Sequence, residues 1–209
     1  DPLLKHSNIL DGLFHTHVIL CESDSDCRFY SAITDSIYSN IDKAIPDNLF
    51  IHSGGKDRMP MIIEALKDLN IKISVICDFD ILNDNHPIED IYTNLGGDWD
   101  AIQSKWHSIK KAIEDKKPDL EVKEAKDSIN EILDQNSERF LTKTSIKKIR
   151  NVPRRSSAWS YAKEQGESFL PSGQPTQIFQ ELVENLNHYG LYIVENGELE
   201  SFCKSVGNH

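Results

Sequence analysis

The sequence predicts an α/β fold built on a parallel sheet, and three observations carry that prediction. Four short runs rich in Val, Ile and Leu, at residues 17–21, 48–52, 71–77 and 191–194, are bounded by polar residues or glycine, as buried strands of a covered parallel sheet should be. The segments between the first three runs have helical rather than strand periodicity, so the chain begins β-α-β-α-β, the order that parallel strands with crossover helices require. The composition is that of a soluble globular protein: 209 residues, 38% hydrophobic, 27% charged and a formal net charge of −11.

The elements follow in order. Phe29, Ile33, Ile37 and Ile41 recur every four positions and predict an amphipathic helix over residues 25–44. After the second strand, Ser53, Gly54 and Gly55 break the chain, and Ile62, Ile63, Leu66 and Leu69 stripe a second helix that ends near Asn70. Beyond Asp80 the pattern changes. Residues 98–117, 119–135, 142–150 and 174–188 have helical spacing on a charged background, and the strand signal returns only at Leu191. The reading is a first α/β part at 1–82, a mainly helical insertion at 83–175 before the last strand, and a closing part at 176–209. Trp99 and Trp106 are assigned to a small core of the insertion's own, and Pro153 is expected to end the helix before it.

Apolar runs of about five residues fall far short of the ~20 that a membrane-spanning helix needs, and no secretory leader opens the chain. The chain starts at Asp1 without Met and is read as a fragment of a longer protein. Cys21, Cys27, Cys77 and Cys203 show neither paired spacing nor a His cluster, which argues against zinc and for reduced thiols in a cytoplasmic protein. The acidity disfavours a general nucleic-acid-coating role, because phosphate contacts need Lys and Arg.

The carboxylates fall where chemistry is expected. Glu22, Asp24 and Asp26 follow the first strand, Asp78 and Asp80 end the third, and Glu198 and Glu200 follow the fourth. All lie at the C-terminal ends of strands that should be parallel, the edge at which open α/β sheets bind ligands. Alternation along a strand would turn Asp78 and Asp80 to the same side, ~6–7 Å apart. Converging carboxylates repel unless cations lie between them, and oxygen-only donors suit Mg²⁺, Mn²⁺ or Ca²⁺. Solvated caps after strands are the competing explanation for any single cluster. Three clusters at one edge favour a metal site.

Residues 18–26, a strand that ends in Glu22, resemble the first motif of Toprim domains, and Asp78-Phe79-Asp80 resembles their Asp-x-Asp motif. Toprim is the catalytic domain shared by topoisomerases, DnaG-type primases and several nucleases. The wider pattern is similar to the overcoming-lysogenisation-defect (OLD) family of ATP-dependent endonucleases. That family often has Glu-Gly-x-Ser-Asp after the first strand, Gly-Gly-Lys before the second helix, a helical insert and a late Gly-x-x-Glu. Here these correspond to residues 22–26, Gly54-Gly55-Lys56, residues 83–175 and residues 197–200. The resemblance covers roughly 15–82 and 188–204. Ser23 stands where the family usually has Gly, so the turn after Glu22 is expected to differ if it needs a positive φ.

The resemblance implies a Toprim-like parallel sheet flanked by helices and a two-metal nuclease using Mg²⁺ or Mn²⁺. Glu22 and Asp26 would bind one cation beside Asp78, while Asp80 with Glu198, Glu200 or both would hold the second. The family also uses a Lys late in the domain to stabilise the transition state. Lys204 is the matching candidate and Lys56 the other basic one, with a solvated surface Lys as the alternative for the first. The Gly54-Gly55-Lys56 turn reads either as a phosphate cradle or as a simple helix start. Family members carry an ABC-type ATPase domain before the Toprim domain, and several act against bacteriophage. No Gly-x-x-x-x-Gly-Lys-Ser/Thr run occurs here, so this chain has no such ATP site, and the ATPase would be an upstream partner in a protein expected to oligomerise.

DNA contact is assigned to Lys56 and to Lys143, Lys147, Lys148, Arg150, Arg154 and Arg155, a basic stripe on an acidic chain. A solvated helix face is the plainer explanation. Trp159 and Tyr161 just beyond can pack or stack, and His52 at the end of the second strand reads as a structural residue rather than a base. Three other readings compete with a nuclease: a primase-like nucleotidyl transferase, a receiver-like module holding one Mg²⁺, and a degenerate Toprim-like domain kept for assembly. The receiver has no use for Glu198 and Glu200, no template-binding module is visible for a primase, and no Tyr stands in a context that suits a topoisomerase.

Overall fold

A computed structural model describes residues 9–41, 44–116, 121–136, 140–155 and 158–202. The side chains of Arg154, Arg155 and Glu200, and the whole of Cys203 and Lys204, lie outside the described residues. Four parallel strands form one sheet: β1 (His17–Cys21), β2 (Asn48–His52), β3 (Ile73–Cys77) and β4 (Leu191–Ile193), in the order β2-β1-β3-β4. The predicted strands are therefore present and parallel.

Helix α1 (Asp24–Ser39) follows β1, and α2 (Met59–Asp68) follows β2. Between β3 and β4 come α3 (Asn85–Asn94), α4 (Trp99–Asp115), α5 (Val122–Asp134), α6 (Lys143–Arg155), α7 (Ala158–Gln165) and α8 (Gln174–His188). No helix among the described residues is long and apolar enough to cross a membrane.

Helix α1 is shorter than its apolar stripe predicts. At its C-terminus the Ser39 hydroxyl donates to the Asp35 carbonyl and the Asn40 amide to the Ser36 carbonyl, so polar side chains there use the last turn's acceptors. Strand β3 starts later than the predicted residue 71 because Ile71 closes α2. Its N–H reaches the Leu66 carbonyl at 3.0 Å and that of Asn70 reaches Lys67 at 2.8 Å, with Asn70 at φ 58°. That is a Schellman C-cap, and an amide engaged in it is not available to the sheet. Pro153 does not end its helix as expected. Helix α6 runs on to Arg155, because a proline near the last turn fits helical φ and removes only one hydrogen bond.

The core is continuous from the sheet into the later helices. Val18, Leu20, Val75 and Leu191 pack in one cluster with Ile62, Ile63 and Leu66 of α2, Ile88 and Ile91 of α3, and Phe179, Leu182 and Leu186 of α8. Trp99 and Trp106 belong to this cluster rather than to a separate core, and the Trp106 indole N–H donates to the Leu82 carbonyl at 2.9 Å. The short 3-10 turn Phe79–Asn83 carries the chain from β3 directly against α4, and Phe79, Ile81 and Leu82 in it are fully buried. Cys21, Cys27 and Cys77 are free and buried, as small apolar residues are.

Candidate metal centre

Sheet order places the site. The chain leaves β1 for β2 on one flank and then crosses to β3 on the other, so the carboxyl ends of β1 and β3 border the crevice of a topological switch point. Glu22 is the first residue after β1, and Asp78 the first after β3.

Glu22 is held by its own peptide. Its carbonyl accepts the N–H groups of Gly54 at 3.0 Å and Gly55 at 3.1 Å, and buried Ser53 donates N–H and hydroxyl to the neighbouring Cys21 carbonyl. Positive φ at Gly54 (72°) and Gly55 (126°) lets both amides turn onto one oxygen. The Gly-Gly turn is thus a clamp on Glu22, and of its two readings the phosphate cradle is disfavoured, since those amides already have an acceptor. Ser23 needs no positive φ. It sits at φ −126° as the N-cap of α1, where its hydroxyl accepts the Asp26 N–H and the Asp26 carboxylate accepts the Ser23 N–H at 2.9 Å.

Glu22, Asp78 and Asp80 each present a carboxylate oxygen, and the three oxygens lie within 4.8 Å of one another. Asp78 and Asp80 converge by a different route from the strand alternation expected: β3 ends at Cys77, and Asp80 is brought round by the 3-10 turn while Phe79 between them is buried. The Asp78 N–H donates to Glu22 Oε1 at 3.3 Å. One Asp80 oxygen, Oδ1, is buried without a hydrogen-bond partner.

Among the described residues, two ammonium groups face these acids. Lys163 on α7 places Nζ 3.1 Å from Asp78 Oδ2, 3.7 Å from Asp80 Oδ2 and 4.0 Å from Glu198 Oε2. Lys56, at the start of the turn before α2, lies 3.8 Å from Asp80 Oδ2 and donates to the Asp80 carbonyl at 3.5 Å. Lys163 is the residue that sequence reasoning missed. A single lysine on a polar helix has no signature, and the faint signal is Gly166 just beyond it.

That lysine is fixed by two backbones in contact. A Cβ on Gly166 (φ 59°) would meet the Glu195 carbonyl at 1.9 Å, and one on Gly197 (φ 108°) would meet the Lys163 carbonyl at 2.1 Å. The Glu167 N–H donates to Glu195 at 2.7 Å, and the Phe79 N–H to Gly197 at 2.8 Å. The end of α7, the turn after β4 and the turn after β3 are therefore tied together around the carboxylates.

The electrostatics follow from burial and crowding. Burial, then repulsion from Asp78 and Asp80, pushes Glu22 up to about 7, against the Asp78 N–H and Lys163. Burial also raises Asp78, even though Lys163 pulls it down. Burial works against the Lys163 charge, but Asp80, Asp78 and Glu198 outweigh it and raise that lysine above its ordinary value. A raised acid beside a raised lysine means that desolvation at Asp78 exceeds what one ammonium returns. A site of all-oxygen donors with an unpartnered buried oxygen fits a hard divalent cation such as Mg²⁺ or Mn²⁺.

The remaining sequence candidates fall elsewhere. Asp26 is engaged in the α1 cap and is not in the group of three, and Asp24 pairs with Arg28 at 2.8 Å. Glu198 reaches the group through Lys163. Glu200 and Lys204 as ligand and catalytic lysine fall outside the described side chains. Lys143, Lys147, Lys148 and Arg150 are exposed along α6, which packs on α5 and α7, while Tyr161 stacks on Phe169 and Trp159 packs beside Glu114. His52 is exposed at the end of β2.

Residues 13–80 match the family model described as the TOPRIM domain of overcoming-lysogenization-defect-like proteins. The matched segment contains Glu22, Lys56, Asp78 and Asp80. The chain matches no curated protein and no solved structure.

Proposed function

We propose that the chain is a divalent-metal-dependent DNA endonuclease or nickase, in keeping with the match of residues 13–80 to an OLD-like TOPRIM domain, a class that binds divalent metal and acts on nucleic acid. The observation that carries this reading is the convergence of Glu22, Asp78 and Asp80 at the switch-point crevice, within 4.8 Å, beside a half-buried Lys163.

Glu22, Asp78 and Asp80 would hold the cation, Mg²⁺ or Mn²⁺. When bound it supplies positive charge to a phosphodiester and lowers the pKa of water. Lys163 would stabilise charge that develops on the phosphoryl oxygens, alongside the earlier candidates Lys56 and Lys204, the latter outside the described residues. Lys56 steadies Asp80 from the other side. Glu22, whose carboxyl is pushed up to about 7 in the metal-free fold, would give up its proton as the cation binds.

The exposed Lys143, Lys147, Lys148 and Arg150 on α6 are proposed as a duplex-backbone contact, with an upstream ATPase and a role against bacteriophage as the family context. The test is a plasmid assay. Supercoiled DNA is incubated with the chain and Mg²⁺, Mn²⁺ or EDTA, beside an Asp78→Ala/Asp80→Ala variant. Metal-dependent nicking that the variant loses is expected. Equal nicking by the variant would remove these carboxylates from the chemistry.

A further inference from the structure

The ammonium of Lys163 stands against carboxylates that the resemblance gives to metal binding. Asp78, Asp80 and Glu198, three carboxylates assigned from the sequence to metal binding, all have an oxygen 3.1–4.0 Å from Lys163 Nζ. A divalent ion bridging the same Asp80 and Glu198 oxygens would stand within a few ångströms of that ammonium, where like charges repel strongly.

The backbone that carries this lysine is anchored beside the carboxylates. Its own carbonyl is in the backbone crossing with Gly197, and Gly166 three residues on is in the reciprocal crossing with Glu195. Moving the α7 backbone away would break both contacts and the Glu167 N–H bond to Glu195. Local charge agrees in sign: among the described residues, the carboxylates of Glu22, Asp78, Asp80 and Glu198 outnumber the ammonium groups of Lys56 and Lys163 set against them. The Asp80 oxygen that faces both lysines is Oδ2, and Oδ1 is the one left buried without a partner.

We propose that the centre binds a single divalent cation, with Lys163 serving as a built-in second cation in place of a second metal ion. This deepens the metal-site reading above and rests on it. Lys163 would then offset part of the charge of Asp78, Asp80 and Glu198 before and after metal binding, and one divalent ion would offset much of the rest.

Stoichiometry tests this without any cleavage assay. Mn²⁺ is titrated calorimetrically into the 209-residue chain, and Mn²⁺ EPR reports whether two ions lie close enough to couple, about 4 Å apart in two-metal sites. One ion is expected for the native chain and for Lys163→Arg, which keeps the charge. Two ions, with spin coupling, are expected for Lys163→Met, whose fold is checked by far-UV circular dichroism. Two coupled ions in the native chain would overturn the inference while leaving the metal site intact. No bound ion would overturn the metal reading and the inference together. A folded Lys163→Met that still binds one ion would show that Lys163 does not occupy a cation position. Because the native stoichiometry needs no variant, the inference stays testable even if Lys163→Met does not fold.

Discussion

Gly166→Ala is the perturbation that best probes how the centre is assembled. At φ 59° an alanine occupies the left-handed region, which costs roughly 1–2 kcal/mol for a residue with a Cβ. Sterics add more, because the Cβ would stand 1.9 Å from the Glu195 carbonyl, 2.5 Å from the Gly197 amide nitrogen and 2.6 Å from the Asn196 carbonyl carbon. Those neighbours are all backbone, so none can rotate away, and one stretch of chain must shift to make room. The control is Gly96→Ala, at φ 103° with nothing within 4 Å, where only conformational strain applies. Expected losses are about 1–2 kcal/mol for Gly96→Ala and about 3–5 kcal/mol for Gly166→Ala. Urea unfolding monitored by circular dichroism gives both values. In any Gly166→Ala protein that remains folded, Lys163 should have left Asp78. Equal losses at the two positions would refute the interlocked-backbone account, since the difference between them is the collision.

Two other outcomes follow from the site. Glu22 carries a proton with a pKa of about 7 in the metal-free fold, and a divalent ion requires its carboxylate, so Mn²⁺ affinity should fall about tenfold per pH unit below 7 and level off above it. The sign for stability is opposite. A raised acid favours the fold when protonated, so Glu22 supports the metal-free chain most fully below its ordinary value near 4.5, and that support is lost as pH rises through about 7. In Glu22→Gln the pH step in Mn²⁺ affinity should vanish, and a step that persists would assign the proton elsewhere. Replacing Lys143, Lys147, Lys148 and Arg150 with Ala should weaken duplex DNA binding at low salt. The log–log salt slope should flatten by about 0.9 for each phosphate no longer neutralised. An unchanged slope would return α6 to a solvated face.

Much of the fold was legible because its signals are local. A buried parallel strand announces itself by a short apolar run between polar ends, so the runs at 17–21, 48–52, 71–77 and 191–194 could be read one at a time. Glu22 and Asp78 stand directly after such runs, which puts them at the ligand-binding edge once the strands are parallel. Boundaries were less legible where a tertiary or capping bond took a backbone group. The residue pattern offers Ile71 to the strand, but its amide closes α2 instead.

Local pattern suffices, then, for the parallel sheet, the acids at its edge and the resemblance they carry. What surrounds those acids comes from long-range packing. Gly54 and Gly55 read as a helix start or a phosphate cradle, and only packing shows the Glu22 carbonyl accepting both amides. Trp99 and Trp106 look like a private core until the turn after β3 joins α4 to the sheet's own core. Lys163 looks like any solvated lysine, because what makes it a site residue is the meeting of Gly166 with Glu195 and of Gly197 with Lys163. Each of these depends on segments far apart in the chain being brought together, at Gly166 and Gly197 too closely for a side chain to lie between them, and no local pattern of residue types encodes that distance.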